Sequence, residues 1–168
     1  MLERFEITEE EIHPIDSVEE VLNEHNWSFD RPSDDELVVD VSGQNSKYRI
    51  YFIWQENMNA LQFCCHYQLS IAEDNLDEAH AAALSINEHL WLGHFDIPSN
   101  TRSPVFRYTC LFRGAGRMNA AETIDDMVDV ALIQCERYFP IFQLLTEKTH
   151  LLNNETMSLA LMETAGRS

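Results

Sequence analysis

Two adjacent runs limit what this chain can become more than any other stretch. Tyr48-Arg49-Ile50-Tyr51-Phe52-Ile53-Trp54-Gln55 is followed, after Glu56-Asn57-Met58-Asn59, by Ala60-Leu61-Gln62-Phe63-Cys64-Cys65-His66-Tyr67-Gln68-Leu69. Both are dense in aromatic and β-branched residues, and the second alternates apolar with polar, as a strand with one buried face does. A turn this short joins antiparallel neighbours, because a parallel pair needs a long crossover. In the second run Leu61, Phe63, Cys65, Tyr67 and Leu69 share one face and are expected against helices; Gln62, Cys64, His66 and Gln68 share the other. The first run is apolar on both faces, so one set of its side chains is left facing outward.

Around this pair the chain punctuates itself clearly. Asp16-Ser17, with Ser17 and Glu20 at capping-box spacing, opens a helix whose apolar stripe is Ile15, Val18, Val21 and Leu22. Residues 26–35 are rich in Ser, Asp and Pro and read as a connection. Residues 36–41 alternate as a strand and end at the turn cluster Ser42-Gly43-Gln44-Asn45. Asn75 and Glu78 open a second helix with Leu76, Ala79, Ala83, Ile86 and Leu90 on one side, and Gly93 is its expected terminator. Strands over 94–97 and 104–112 follow, then the loop Arg113-Gly114-Ala115-Gly116-Arg117. A long amphipathic helix starts near Asn119, and Pro140 should kink or restart it. A short helix is expected over residues 156–165.

The expected fold class is therefore α+β: a five-stranded, mainly antiparallel sheet in the order α-β-β-β-α-β-β-α, helices packed on one face, plus a short C-terminal helix. Three parts are expected: an acidic N-terminal arm over 1–14, the α+β domain over 15–150, and a helical tail over 151–168. A chain of 168 residues is long enough to bury a core without disulfide or metal support.

Charge excludes one class of partner. The chain carries 29 acids and 11 bases, a net −18, and residues 1–40 hold fourteen of the acids with two of the bases. Phosphate backbones require clustered Lys and Arg, so nucleic acid is not an expected ligand. The acidic first quarter is a solvated surface or an attraction for a basic partner segment. The first residues lack the apolar core of a secretory signal, and no run approaches the ~18 apolar residues that cross a bilayer. The expected setting is the cytoplasm, with no membrane contact. The four cysteines fit thiols kept reduced: Cys64 and Cys65 are adjacent and point to opposite faces, and Cys110 and Cys135 lie inside apolar patterns.

Few side chains form a chemical constellation. The glycine loop at 113–117 could cradle a phosphate, but it lacks a P-loop or dinucleotide fingerprint and follows an antiparallel strand, so it reads as a plain connection. Cys64 and His66, with His89 or His94, are too few and too loosely spaced for structural zinc. Asp125, Asp126 and Asp129, in the first turns of the long helix, are accounted for by its dipole. No G-x-S-x-G or H-E-x-x-H motif occurs. The chain is expected to be no enzyme, with no cofactor, no metal and no catalytic residues.

The element order, with Leu90-Trp91-Leu92-Gly93-His94-Phe95-Asp96-Ile97, Phe106-Arg107-Tyr108 and Glu136-Arg137-Tyr138-Phe139-Pro140, resembles the YbjN family over roughly residues 15–150. That group carries the label of bacterial sensory transduction regulators and is similar in architecture to the dimeric chaperones of type III secretion. The resemblance implies a protein-binding, homodimeric module and supplies no catalytic residues. The expected function is a chaperone-like or regulatory adaptor that covers an apolar polypeptide segment, with the acidic arm favouring basic flanks. Tyr51, Ile53, Trp54 and Trp91 are the candidate partner contacts, and the Ala-rich helix over 76–91 is the candidate dimer contact. The alternative is a small-molecule sensor with a pocket between the sheet and the long helix, near Arg107, Arg113 and Arg117.

Overall fold

The computed structural model describes residues 12–112, 117–146 and Met162. The arm before Ile12, the glycine loop at 113–116 and nearly all of the tail expected over 151–168 lie outside the described residues. The elements run α1 (Pro14–Glu24), β1 (Phe29–Ser33), β2 (Glu36–Ser42), β3 (Lys47–Gln55), β4 (Ala60–Tyr67), α2 (Leu76–Asn87), β5 (His94–Asp96), β6 (Val105–Leu111) and α3 (Arg117–Leu144). The class is α+β, as the strand blocks predict, with one wholly antiparallel sheet and three helices.

The sheet has six strands, not five, in the spatial order β1-β2-β3-β4-β6-β5. The extra one is β1, inside the stretch read as a connection. Phe29 and Asp30 pair with Val39 and Val38, and a bulge precedes the Ser33–Glu36 pair. Its sequence Phe-Asp-Arg-Pro-Ser carries a proline that no central strand tolerates, which is why it lies at an edge. Short 3-10 turns at Glu56–Met58 and Glu73–Asn75 complete the connections, and Asn59 takes the left-handed conformation (φ 49°) that closes the β3–β4 turn.

Helix boundaries shift for identifiable reasons. α1 begins at Pro14, whose ring fits a first-turn position, with His13 as cap: its Nδ1 accepts from the Ile15 N–H at 3.3 Å. Ser17, the expected cap, is instead buried inside the helix. α1 ends on Asn26 in the left-handed region (φ 57°), and the Trp27 N–H returns to the Leu22 carbonyl at 3.0 Å, a Schellman closure. α2 stops at Asn87, short of Leu90 and Gly93. Asn75 precedes α2 without a side-chain cap; its Nδ2 donates to the Leu145 carbonyl at 3.1 Å. α3 starts two residues before Asn119 and continues through Pro140 without a restart.

Two layers result. α1 lies against β2 and β3, α3 against β4 and β6, α1 and α3 pack on each other, and α2 meets β5 at the end of the sheet. The core draws mainly on one parity of the central strands (Ala60, Cys64 and Val105, of the other parity, are buried as well): Leu37, Val39 and Val41 of β2, Tyr48, Ile50, Phe52 and Trp54 of β3, Leu61, Phe63, Cys65 and Tyr67 of β4, and Phe106 of β6. The register aligns them, Trp54 with Leu61, Phe52 with Phe63, Ile50 with Cys65 and Tyr48 with Tyr67.

One surface residue is held against its preference. Arg102, in the β5–β6 connection, sits at φ 54°, and its carbonyl accepts the Ile71 N–H at 2.8 Å. A left-handed conformation costs an L-residue roughly 1–2 kcal/mol, while a glycine loses some unfolded-state entropy in exchange. Arg102→Gly is expected to raise stability by about 0.5–1 kcal/mol in chemical denaturation; an equal loss would show that the Arg102–Glu73 approach at 3.8 Å matters more.

Candidate interaction surface

The opposite parity of the strands faces away from α1 and α3. Ala60, Cys64 and Val105 on this side are nonetheless buried. The pairing lays its side chains out in rows across the strands. One row runs Val38, Tyr51, Cys64, Arg107, His94; the next runs Asp40, Arg49, His66, Val105, Asp96; a third holds Glu36, Ile53, Gln62 and Thr109. Ala60 and Leu111 lie opposite each other beyond that.

The two ends of this face differ in character. Towards the β3–β4 turn it mixes apolar and polar side chains: Tyr51 and Ile53 are half-buried, Leu111 is 60% exposed and Met58 in the turn 58% exposed, with Glu36, Gln62 and Thr109 beside Ile53. Towards the other end it is charged. Arg49 makes a two-pronged pair with Asp40, both arms at 2.8 Å, and the guanidinium holds the Asp40 carboxyl below its ordinary range. Arg107 Nε faces Asp96 Oδ2 at 3.3 Å without hydrogen-bond geometry. Between them the Tyr51 and His66 rings meet edge to face, centroids 5.2 Å apart.

Cys64 and His66 on this face are both shifted by their surroundings. Burial pushes the Cys64 thiol up, against a smaller opposing pull from Arg107, so a nucleophilic thiolate is disfavoured. Burial and then Arg107 push His66 below its ordinary value. Among the described residues no three His, Cys, Asp or Glu side chains are grouped to hold a metal ion. No helix among them is long and apolar enough to cross a membrane.

The candidate contacts separate. Tyr51 and Ile53 share the open face. Trp54 does not: it is 8% exposed, on the core side of β3, edge-on to His13. Its parity with Tyr48 and Phe52 already sets it on the side opposite to Tyr51, a signal present in the sequence. Trp91 is 99% exposed, in the bend between α2 and β5 rather than on the helix, and Leu84 on α2 is 69% exposed. Of the alternative set, only the Arg107 side chain lies among the described residues. Arg107 points away from α3, Arg113 is outside the described residues, and the space between sheet and α3 is filled by Cys65, Tyr67, Phe106, Cys135 and Phe142. Cys65 and Cys135, unpaired like Cys64 and Cys110, bring their sulfurs to 3.7 Å there.

Two further expectations change. Asp125 and its neighbours lie in the third and fourth turns of α3, beyond the reach of its dipole, and Asp125 instead meets His25 at 2.6 Å, joining the end of α1 to α3. Glu136, in the stretch Glu-Arg-Tyr-Phe-Pro, is a fastening point that the spacing did not disclose. Its carboxylate accepts from the Tyr48 hydroxyl at 2.8 Å and from the Asn45 backbone and side-chain N–H groups at 3.0 and 2.7 Å. Gly43 makes room for it, since a Cβ there would overlap the Glu136 carboxylate and lie 2.6 Å from the Tyr48 ring.

The described residues form a two-layer α+β module with α1 and α3 packed on one face of the sheet. The chain belongs to the YbjN family, described as "Putative bacterial sensory transduction regulator", whose family model matches residues 14–144. The chain is also similar to the protein in "Crystal structure of YbjN, a putative transcription regulator from E. coli", with 10% identity and a TM-score of 0.49 over 74% of this chain and 93% of that one. No curated protein matches it.

Proposed function

We propose that this chain is a non-enzymatic regulatory module that binds another polypeptide, in the manner of a secretion chaperone or adaptor. The observation that carries this is the group of partly or largely exposed apolar side chains Tyr51, Ile53 and Leu111 on the sheet face opposite α1 and α3. Contiguous exposed apolar surface marks association sites. The family description of a regulator is compatible with this role. Asp16, Glu19, Glu20, Asn23 and Glu24 line an open groove on α1; Arg31 already pairs with Asp16 and Glu19 at 2.8 and 2.9 Å, so this surface takes a basic side chain. Four unpaired cysteines support action in a reducing compartment such as the cytoplasm.

Photo-crosslinking in cells tests it. A benzophenone side chain at position 53 or 111 is expected to capture protein, and one at Asp129 on the exposed side of α3 to capture none. Crosslinks of equal yield from all three positions would remove the reading. Capture that depends on the acidic groove is expected to weaken as salt rises, because screening acts on exposed charges.

A further inference from the structure

We propose that Cys65 and Cys135 form a reversible disulfide that staples α3 to the sheet when the chain meets a peroxide. The pair lies on the covered face of the sheet, away from the open face proposed to bind a partner. Cys65 belongs to β4 and Cys135 to α3, 70 positions further along, yet their sulfurs are 3.7 Å apart and both residues are fully buried. Each is held towards the other by its own element. Cys65 is flanked in register by Ile50 on β3 and Phe106 on β6. The Cys135 carbonyl accepts from the Tyr67 hydroxyl at 2.6 Å, which ties that turn of α3 to β4. The sulfurs of a disulfide lie about 2.0 Å apart, so these two thiols start in van der Waals contact. Neither of the other thiols competes. Cys64 follows the strand's alternation and turns to the opposite face. Cys110 stands opposite Leu61, which is roughly 13 Å along β4 from Cys65.

One thiolate attacks a peroxide oxygen and the O–O bond breaks. The sulfur keeps that oxygen as a sulfenic acid, and with hydrogen peroxide the other oxygen takes up a proton and leaves as water. The second thiol then attacks the sulfenic sulfur: the S–S bond forms and the oxygen leaves as a second water. Two thiols and one hydrogen peroxide thus become one disulfide and two waters, and a dithiol reverses the bond by exchange. Burial sets the pace. Burial and the contact with Cys135 push the Cys65 thiol up, so a thiolate is scarce while the core is closed. Reaction therefore waits for α3 to lift from the sheet. Glu136, the residue after Cys135, is what fastens α3 there, through Tyr48 and Asn45. Chain statistics favour a different pair, because Cys110 is nearer to Cys135 along the chain than Cys65 is, and shorter loops close more easily. A selective bond between Cys65 and Cys135 therefore reports their native proximity.

The reduced full chain, treated with hydrogen peroxide, alkylated and digested without reductant, is expected to yield one linked peptide pair by mass spectrometry, Cys65 with Cys135. The oxidised chain is expected to melt at least about 5 °C higher, because a cross-link over so long a loop restricts the unfolded chain. Dithiothreitol should restore the original value, which separates the bond from methionine oxidation. Cys64→Ser combined with Cys110→Ser is expected to keep both the link and the shift, and Cys135→Ala to lose both. Glu136→Ala is expected to form the link at least about tenfold faster, because α3 opens more often. If Cys135→Ala fails to fold, the peptide mapping and the double serine variant still decide. Cys135 linked to Cys110 or Cys64 instead, sulfinic acid at either position with no link, a link that forms only in denaturant, a lowered melting temperature, or a rate unchanged by Glu136→Ala overturns the proposal.

Discussion

Glu136→Ala is expected to cost about 2–4 kcal/mol, lowering the melting temperature by roughly 5–15 °C. Three donors converge on this carboxylate from 88 to 91 residues away. Bonds to an ionised acceptor are the stronger kind, and the Tyr48 hydroxyl, on a fully buried residue, would lose its acceptor. Adding Tyr48→Phe removes the stranded hydroxyl, so the double variant should be more stable than the sum of the two singles implies. Gly43→Ala presses on the same carboxylate and on the Tyr48 ring, so it should destabilise the native chain and cost less, though not nothing, once Glu136 is alanine. Additive effects in this triangle would mean that the three groups do not act together. Denaturant midpoints with constant slopes provide the measurement.

Gly93→Ala is expected to cost a comparable 2–4 kcal/mol through two separate penalties. The residue sits at φ +69°, where an L side chain is strained, and its new Cβ would run into the fully buried Phe106 ring while lying 2.8 Å from the Arg107 carbonyl. Phe106 is itself wedged against Phe95, with ring centroids 5.3 Å apart, so the ring has little freedom to yield. Adding Phe106→Leu should recover part of the loss by opening space, whereas the backbone strain stays. No recovery would assign the whole effect to the dihedral and the Arg107 carbonyl contact. A loss below about 0.5 kcal/mol would mean that the chain entering β5 can move.

What could be read before any coordinates followed from period. Side-chain alternation in β4 named its inner face residue by residue, because Leu61, Phe63, Cys65 and Tyr67 alternate with mostly polar side chains. β3 defeated that logic, since both its faces are apolar. Register against Phe63 and Leu61 decides that Phe52 and Trp54 turn inward, and register is a property of pairs. β1 stayed hidden because Pro32 and its polar neighbours read as a connection, and only an edge position makes such a strand admissible. The end of α2 was misjudged because Leu90 continues the helical spacing, whereas the chain has already turned towards Gly93. The Glu136 fastening and the His25–Asp125 contact join residues 88 and 100 positions apart at their nearest, and no local pattern carries such information.

One small junction governs how the molecule opens. The Leu145 carbonyl, just past α3, accepts both the Ala72 N–H at 3.1 Å and the Asn75 side chain that leads into α2. The tail end of one helix and the head of another therefore share a single latch. Amide protons on both sides should exchange with solvent in step, and a chain cut short before residue 145 would let go of α2 as well as of the turn it loses.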